Sequence, residues 1–262
     1  MSLAQAKLAA KAIQQARKTG IPCAPIRSYI GPDNIKWAYK VQGMVTLEQV
    51  ADGKVVIGRK IGLTSKAVQN QLGVDQPDFG MLFHDMELML GEELAWNRVI
   101  QPKVEAEVAF VLNRDLNHEK IGLAQVIRAV SFALPCLEIV DSRINNWDIS
   151  IADTIADNAS SGFFVLGHGP KRLDNIDISQ CKMEMSCNGQ VVSTGQGNAC
   201  LGSPINALWW LARTMAQMGH PLRTGDVVLS GALGPVYTAK PGDHYNAQIE
   251  GLGEVSMRFG TQ

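Results

Sequence analysis

A chain of 262 residues, 46% of them hydrophobic, can form one large domain, or a main domain with a smaller helical attachment. With 24 Lys plus Arg against 25 Asp plus Glu, and no basic run longer than a pair, neither nucleic acid nor an anionic membrane is expected as a partner. The five cysteines form no CxxC pair, the opening MSLAQAKLAAKAIQQARK has no continuous apolar stretch, and no apolar run reaches membrane-span length; these features predict a cytoplasmic protein without a disulfide framework.

Ser2 and Gln5 predict a capping box ahead of an Ala-rich helix that reaches Lys18, with Gly20 as its stop. A second helix is expected from near Asp33 through Trp37, Tyr39 and Val41, interrupted around Gly43. Asp52-Gly53 then turns the chain before Val55-Val56-Ile57. Residues 1–55 therefore read as a helical N-terminal region and residues 56–262 as the main body.

The body reads mainly as strands. Val104–Leu112 and Leu134–Val140 are short, apolar-rich and bounded by Pro or polar residues. Asn188-Gly189 predicts a hairpin between Lys182–Ser186 and Gln190–Ser193. Val227–Ser230, Tyr245–Ile249 and Val255–Phe259 add three strands. Between them a helix is expected, with Ser203 as its cap, Pro204 in its first turn, Gly219 at its end, and Leu208, Leu211, Ala212 and Met215 as its core stripe. Trp209 and Trp210 read as packing residues. Many strands with few helices do not fit a regular βαβ repeat, so the expected class is α+β with a curved, mostly β body. A low charged fraction, 19%, together with 25 Gly, suits an oligomer.

The sharpest signal lies in Gln101-Pro-Lys-Val-Glu-Ala-Glu-Val-Ala-Phe110. On a strand, Glu105 and Glu107 share one face while Val104, Ala106 and Val108 fill the other. Two like charges on one face repel unless something neutralises them. A hard divalent cation does so, but on this pair alone an exposed edge strand without metal is the preferred explanation. Glu138, inside the apolar Leu134–Val140, shifts the balance toward metal, because a buried unpaired carboxylate is costly. The five histidines form no HxH or HExxH pattern, so an all-oxygen Mg²⁺ or Mn²⁺ site suits the chain better than zinc. Lys60, beside glycines and hydroxyls in Gly58–Ser65, either enters a pocket or reaches solvent. Asp78 reads as a turn residue or a proton-transfer group, and Asp157–Gly162 as a pocket wall, loop or cap. Arg143 lies near Asp141 and can pair with it or with another structural acid.

Several long pieces then combine: GRKIGLTSKAVQNQLGVDQPDFG from Gly58, IQPKVEAEVAFVL from Ile100, LPCLEIVDSRI from Leu134, IADNASSGFFVLG from Ile155, the GSPINALWWLA helix and the ending GLGEVSMRF. In this order they resemble the hydratase and decarboxylase branch of the fumarylacetoacetate hydrolase superfamily, from about residue 35 to the C-terminus. The resemblance implies a mixed β-roll body around a three-carboxylate site, preceded by a smaller, mainly helical N-terminal part. It implies Glu105, Glu107 and Glu138 as ligands of Mg²⁺ or Mn²⁺, and Lys60, Asp78 and Ser160 as catalytic or proton-handling residues. Leu63, Thr64 and Ser65 are implied near the substrate. The expected activity is hydration of 2-hydroxypenta-2,4-dienoate to 4-hydroxy-2-oxopentanoate in catechol meta-cleavage, with decarboxylation of 4-oxalocrotonate as the alternative. A homo-oligomer that associates with the pathway's decarboxylase or hydratase partner is also implied. SKAVQNQLGVDQPDFG leans toward the hydratase side, whereas Ser230–Val236 departs from both usual patterns. A noncatalytic β-rich binding protein is the competing class; it leaves three acids and Lys60 without coordinated roles.

Overall fold

The computed structural model describes residues 2–66, 69–70 and 74–261. Residues 67–68 and 71–73, within the SKAVQNQLGVDQPDFG stretch, lie outside the described residues. Helix α1 (Leu3–Thr19) opens with the expected box: Ser2 Oγ accepts from Gln5 N at 3.3 Å, and Ser2 N donates to Gln5 Oε1 at 2.9 Å. Gly20, left-handed at φ 70, closes it. After the short α2 (Arg27–Ile30), α3 (Ile35–Ala51) runs unbroken through Gly43, where an interruption was expected. A mid-helix glycine costs only about 1 kcal/mol relative to alanine. Here Ala38, Val41 and Val45 are buried around it, against α1 and the body residues Ile144, Ile151 and Ile155. Packing overrides the local preference.

The strands are β1 (Val56–Gly62), β2 (Asp78–Phe83), β3 (Glu87–Leu88), β4 (Glu93–Leu94), β5 (Pro102–Leu112), β6 (Val130–Asp141), β7 (Ser161–Leu166), β8 (Lys182–Cys187), β9 (Gln190–Gln196), β10 (Val227–Ala232), β11 (Tyr237–Thr238), β12 (His244–Ile249) and β13 (Gly253–Phe259). They form two mixed sheets. One has the order β2-β1-β10-β5-β6-β7-β3, with β11 added beside β5; the other has the order β4-β13-β12-β8-β9. The pair β1–β10 is parallel, whereas β5 is antiparallel to both β10 and β6. Val104, Ala106 and Val108 of β5 and Leu137 and Ile139 of β6 point into the core shared with the second sheet. The alternate residues of β5 and β6 therefore face the other way, where a smaller apolar cluster of Phe83, Ala109, Cys136 and Phe164 lies.

The Asn188-Gly189 hairpin forms as expected, both residues at positive φ. The remaining helices are α4 (Leu123–Ala129), α5 (Ile151–Ala156) and α6 (Pro204–Gln217). Pro204 starts α6 and the predicted stripe is buried, but the Ser203 side chain makes no capping hydrogen bond. Trp209 is a packing residue, its Nε1 donating to Ile121 O at 2.8 Å. No described helix is long and apolar enough to cross a membrane.

Candidate metal centre and active site

The antiparallel register of β5 and β6 sets Glu105 directly opposite Glu138, and Glu107 opposite Cys136. The period-2 pleat turns Glu105 and Glu107 to one face, and the register adds Glu138 to it. One carboxylate oxygen from each lies within 4.8 Å of the others. Glu107 and Glu138 are buried, while Glu105 keeps partial exposure. Glu107 Oε2 accepts from Gly231 N at 2.8 Å, but Glu107 Oε1 and both Glu138 oxygens have no hydrogen-bond donor among the described residues. Burial pushes Glu105 up from 4.5 to about 7, with Glu138 adding to the rise and Lys60 opposing it. Glu107 is raised well above 4.5, first by burial and then by the neighbouring Glu138 and Glu105.

Lys60 enters this pocket rather than solvent. Only 3% exposed, it places Nζ 3.1 Å from Glu138 Oε1, an ion pair whose angles fall outside those of a hydrogen bond. Burial works to lower its pKa, yet the summed fields of Glu138, Glu105, Glu107 and Asp78 outweigh it, and the net direction is up. Asp78 begins β2, paired with Gly62 of β1, so it is a strand residue and not a turn residue. A Cβ at Gly62 would fall 2.2 Å from Asp78 Oδ1 and 3.7 Å from Lys60 Nζ. The missing side chain is what lets the Asp78 carboxyl approach β1 beside Lys60. Asp78 Oδ2 accepts from Thr154 Oγ1 at 3.4 Å, and Oδ1 is buried without a hydrogen-bond partner among the described residues. Burial lifts Asp78 from 3.8 to about 6 against the opposing pull of Lys60.

Beyond Gly62, Leu63 takes a left-handed conformation at φ 57. Thr64 is buried against Gly231, where a Cβ would lie 2.3 Å from Thr64 Oγ1. Because Gly231 N holds Glu107, Thr64 is the member of the Leu63–Ser65 trio tied most directly to the carboxylates. Leu63 O accepts from Gln69 Nε2 at 2.7 Å, and Ser65 O accepts from Gln69 N at 2.9 Å.

Ser160 ends a run of three left-handed residues, Asn158, Ala159 and Ser160, at φ 58, 51 and 54. Such a run costs energy in non-glycine residues and persists only where its surroundings fix it. Two devices do so. Asn158 Oδ1 accepts from Met81 N at 2.7 Å and its Nδ2 donates to Met81 O at 2.9 Å, imitating a strand on the free edge of β2. Arg143 is a buried clamp. Its Nε donates to Asp157 Oδ1 at 2.5 Å, and its terminal nitrogens donate to Asp157 O, to Ser161 O and, in a shorter contact, to Asp141 O. Asp157, not Asp141, is thus the carboxylate partner of Arg143; Asp141 instead accepts the N–H groups of Ile100 and Gln101. The turn packs on β1 and β2, and Ser160 Oγ is buried without a hydrogen-bond partner among the described residues. Thr154, Gly62 and the Arg143–Asp157 clamp escaped the sequence reading as contributors to this site.

The donor set is suited to a cation: three crowded carboxylates, three of whose buried oxygens have no hydrogen-bond partner among the described residues. Such an all-oxygen cluster matches a hard ion such as Mg²⁺ or Mn²⁺. Beside it stand a protonated lysine and a carboxyl near neutrality, the pairing that proton transfer needs. A cavity of about 360 Å³ near the end of α1 is lined by Arg143 and Ser161, but by none of Lys60, Asp78, Ser160 or the three glutamates.

Residues 56–259 match the family described as fumarylacetoacetate (FAA) hydrolase C-terminal. The chain is 53% identical over 258 residues to 2-keto-4-pentenoate hydratase 1 of Dechloromonas aromatica, covering 98% of each sequence. It is 54% identical over 251 residues to the TodF product hydratase of Pseudomonas putida, covering 96% of this chain and 94% of that one. Among solved structures, 4-oxalocrotonate decarboxylase from Pseudomonas putida G7, complexed with magnesium and adipate, matches with a TM-score of 0.94 at 30% identity, covering 99% and 98% of the two chains.

Proposed function

This chain belongs to the fumarylacetoacetate hydrolase family, and we propose that it is a metal-dependent hydro-lyase that converts 2-hydroxypenta-2,4-dienoate (2-oxopent-4-enoate) to 4-hydroxy-2-oxopentanoate in catechol meta-cleavage. The observation that carries the reading is the convergence of Glu105, Glu107 and Glu138 with a buried Lys60, in a chain more than half identical to hydratases along nearly its whole length.

Glu105, Glu107 and Glu138 would hold Mg²⁺ or Mn²⁺, which would supply Lewis-acid polarisation of the substrate's 2-oxo group and a counter-charge for its carboxylate. Around that ion the protein handles protons. The proton of the 2-hydroxyl leaves as one arrives at carbon 5, giving the conjugated ketone. Water then adds its oxygen to carbon 4 and a proton goes to carbon 3. Lys60 keeps a positive charge where electron density collects on the oxygen of carbon 2. Asp78, shifted by burial to about 6, can give up or take a proton near neutral pH. Ser160 Oγ, without a hydrogen-bond partner among the described residues, is suited to orient the water. Leu63, Thr64 and Ser65 wall the substrate, Thr64 from beside Gly231.

The structural likeness to a decarboxylase favours 4-oxalocrotonate decarboxylation as the second reading. A dicarboxylate needs a second basic group at its far end. Arg143, the cation that lies near in sequence, spends its guanidinium donors on Asp157, Ser161 and Asp141. That and the lower identity weigh against it. We place the protein in the cytoplasm as a homo-oligomer able to associate with the pathway's decarboxylase; sedimentation of the chain alone and co-purification of the two chains test these points. The activity is tested by stripping the protein of metal, restoring Mg²⁺ or Mn²⁺, and following freshly generated 2-hydroxypenta-2,4-dienoate. Metal-dependent appearance of 4-hydroxy-2-oxopentanoate is expected; full turnover after verified metal removal overturns the reading.

A further inference from the structure

Gln42 lies on α3, before the residues 56–259 that match the family. It is 2% exposed, and its Nε2 donates to two carbonyls, Phe79 O at 2.8 Å and Ile155 O at 2.9 Å. Each carbonyl follows directly on one member of a hydrogen-bonded pair. Phe79 follows Asp78, Ile155 follows Thr154, and Thr154 Oγ1 donates to Asp78 Oδ2 at 3.4 Å. A single amide group therefore ties together the two backbone segments that bring Asp78 and Thr154 into contact.

The two carbonyls lie at a strand edge and at a helix end, places where a side-chain donor can reach the backbone. Strand β2 is the edge of its sheet, so among the described residues no strand lies on its outer side to share hydrogen bonds with it. Asn158 occupies that edge at Met81 and Gln42 occupies it at Phe79. Ile155 O belongs to the last turn of α5, where the N–H of Asp157 two residues on approaches it and Gln42 supplies a second donor. Tyr39, one turn before Gln42 on α3, stacks on Phe79 with ring centroids 4.5 Å apart and an interplanar angle of 18°. The helix thus holds the first residues of β2 by a ring and by an amide.

We infer that Gln42 is a positioning residue for Asp78: its amide fixes the spacing of β2 from α5, and with it the alignment of Asp78 on Thr154 and toward Lys60. The inference rests on the reading of Asp78 as the proton-handling group. It gives the N-terminal helices a role in turnover that the matched family region does not contain.

The test uses full-length protein saturated with Mg²⁺ and four variants: Gln42→Met, Gln42→Asn, Asp78→Asn and the double variant Q42M/D78N. Q42M keeps the length of the side chain and removes both hydrogen bonds. It is expected to lower kcat by about tenfold to a hundredfold, as small misplacements of reacting groups do, with KM and Mg²⁺ affinity within about twofold of the parent. In the D78N background the same substitution is expected to add no further loss, because its effect runs through Asp78. A product of the two single losses in the double variant, or an unchanged kcat in Q42M beside an impaired D78N, overturns the inference for Gln42 alone. An unchanged kcat in D78N overturns the reading of Asp78 and the inference with it. Should Q42M not fold, Q42N, which keeps an amide one methylene too short to bridge both carbonyls, is read in the same way.

Discussion

Glu105 and Glu138 face each other directly across the β5–β6 ladder, each the other's cross-strand partner. Like charges at directly opposed positions destabilise a sheet, and Glu107 adds a third within 4.8 Å. The arrangement is unfavourable for the polypeptide alone and favourable once a divalent cation is bound.

Stability should therefore depend on pH differently with and without metal. The Glu105 carboxyl moves from 4.5 to about 7 in the folded chain, and Glu107 also moves upward. An acid with a raised folded-state pKa binds more protons when folded, so metal-free stability falls as pH rises from about 4.5 through about 7. Cation binding needs the ionised forms and strengthens over the same interval. In urea unfolding, the gap between Mg²⁺-saturated and metal-stripped protein should widen from about pH 5 to about pH 8. A gap that stays constant contradicts the proposed ligand set.

Glu107→Gln keeps the shape of the side chain, and its amide oxygen can still accept from Gly231 N. What it removes is the charge. Because even indirect disturbance of a metal ligand costs about 10- to 100-fold in affinity or activity, loss of this carboxylate should reduce Mg²⁺ affinity and turnover by about 100-fold or more. Circular dichroism and the melting transition should stay close to the parent. Unchanged metal titration would exclude Glu107 as a ligand.

Arg143→Leu strips Asp157 of its guanidinium partner while leaving the carboxylate buried. Removing one side of such a pair costs about 3–5 kcal/mol. Turnover of the fraction that remains folded should also fall, because the left-handed run that presents Ser160 loses its clamp. A loss below about 1 kcal/mol in urea unfolding would mean that the clamp contributes little.

The helical region 1–55 and the body 56–262 are proposed to fold as one unit. Ile13, Ile26, Val41 and Val45 share a buried cluster with Ile144, Ile151 and Ile155 of the body. Residues 56–262 expressed alone should bind a hydrophobic dye and lack a cooperative melt. A cooperative transition with parental far-ultraviolet dichroism would show instead that the regions are separable.

What the sequence revealed follows from local periodicity. Alternation along β5 set Glu105 and Glu107 on one face, and an acid inside an apolar run singled out Glu138. The hairpin at Asn188-Gly189 and the capping box at Ser2 are likewise written within a few residues. What stayed hidden depends on distant pairing. Lys60 reads equally well as solvent-facing until β1 is placed two strands from β5 in the same sheet. Arg143 finds Asp157 rather than the nearer Asp141, because Asp141 is already taken by the Ile100 and Gln101 amides. Nothing local marks Gln42, whose partners lie 37 and 113 residues away.

The choice of reaction is decided by parallel product assays on one metal-loaded preparation, with 2-hydroxypenta-2,4-dienoate and 2-oxo-3-hexenedioate as substrates. The two chemistries share a Lewis acid and a proton-handling set, so only the products separate them. Rapid formation of 4-hydroxy-2-oxopentanoate from the dienoate, with little carbon dioxide from the dicarboxylate, is the predicted result. Fast carbon dioxide release without hydration of the dienoate contradicts it.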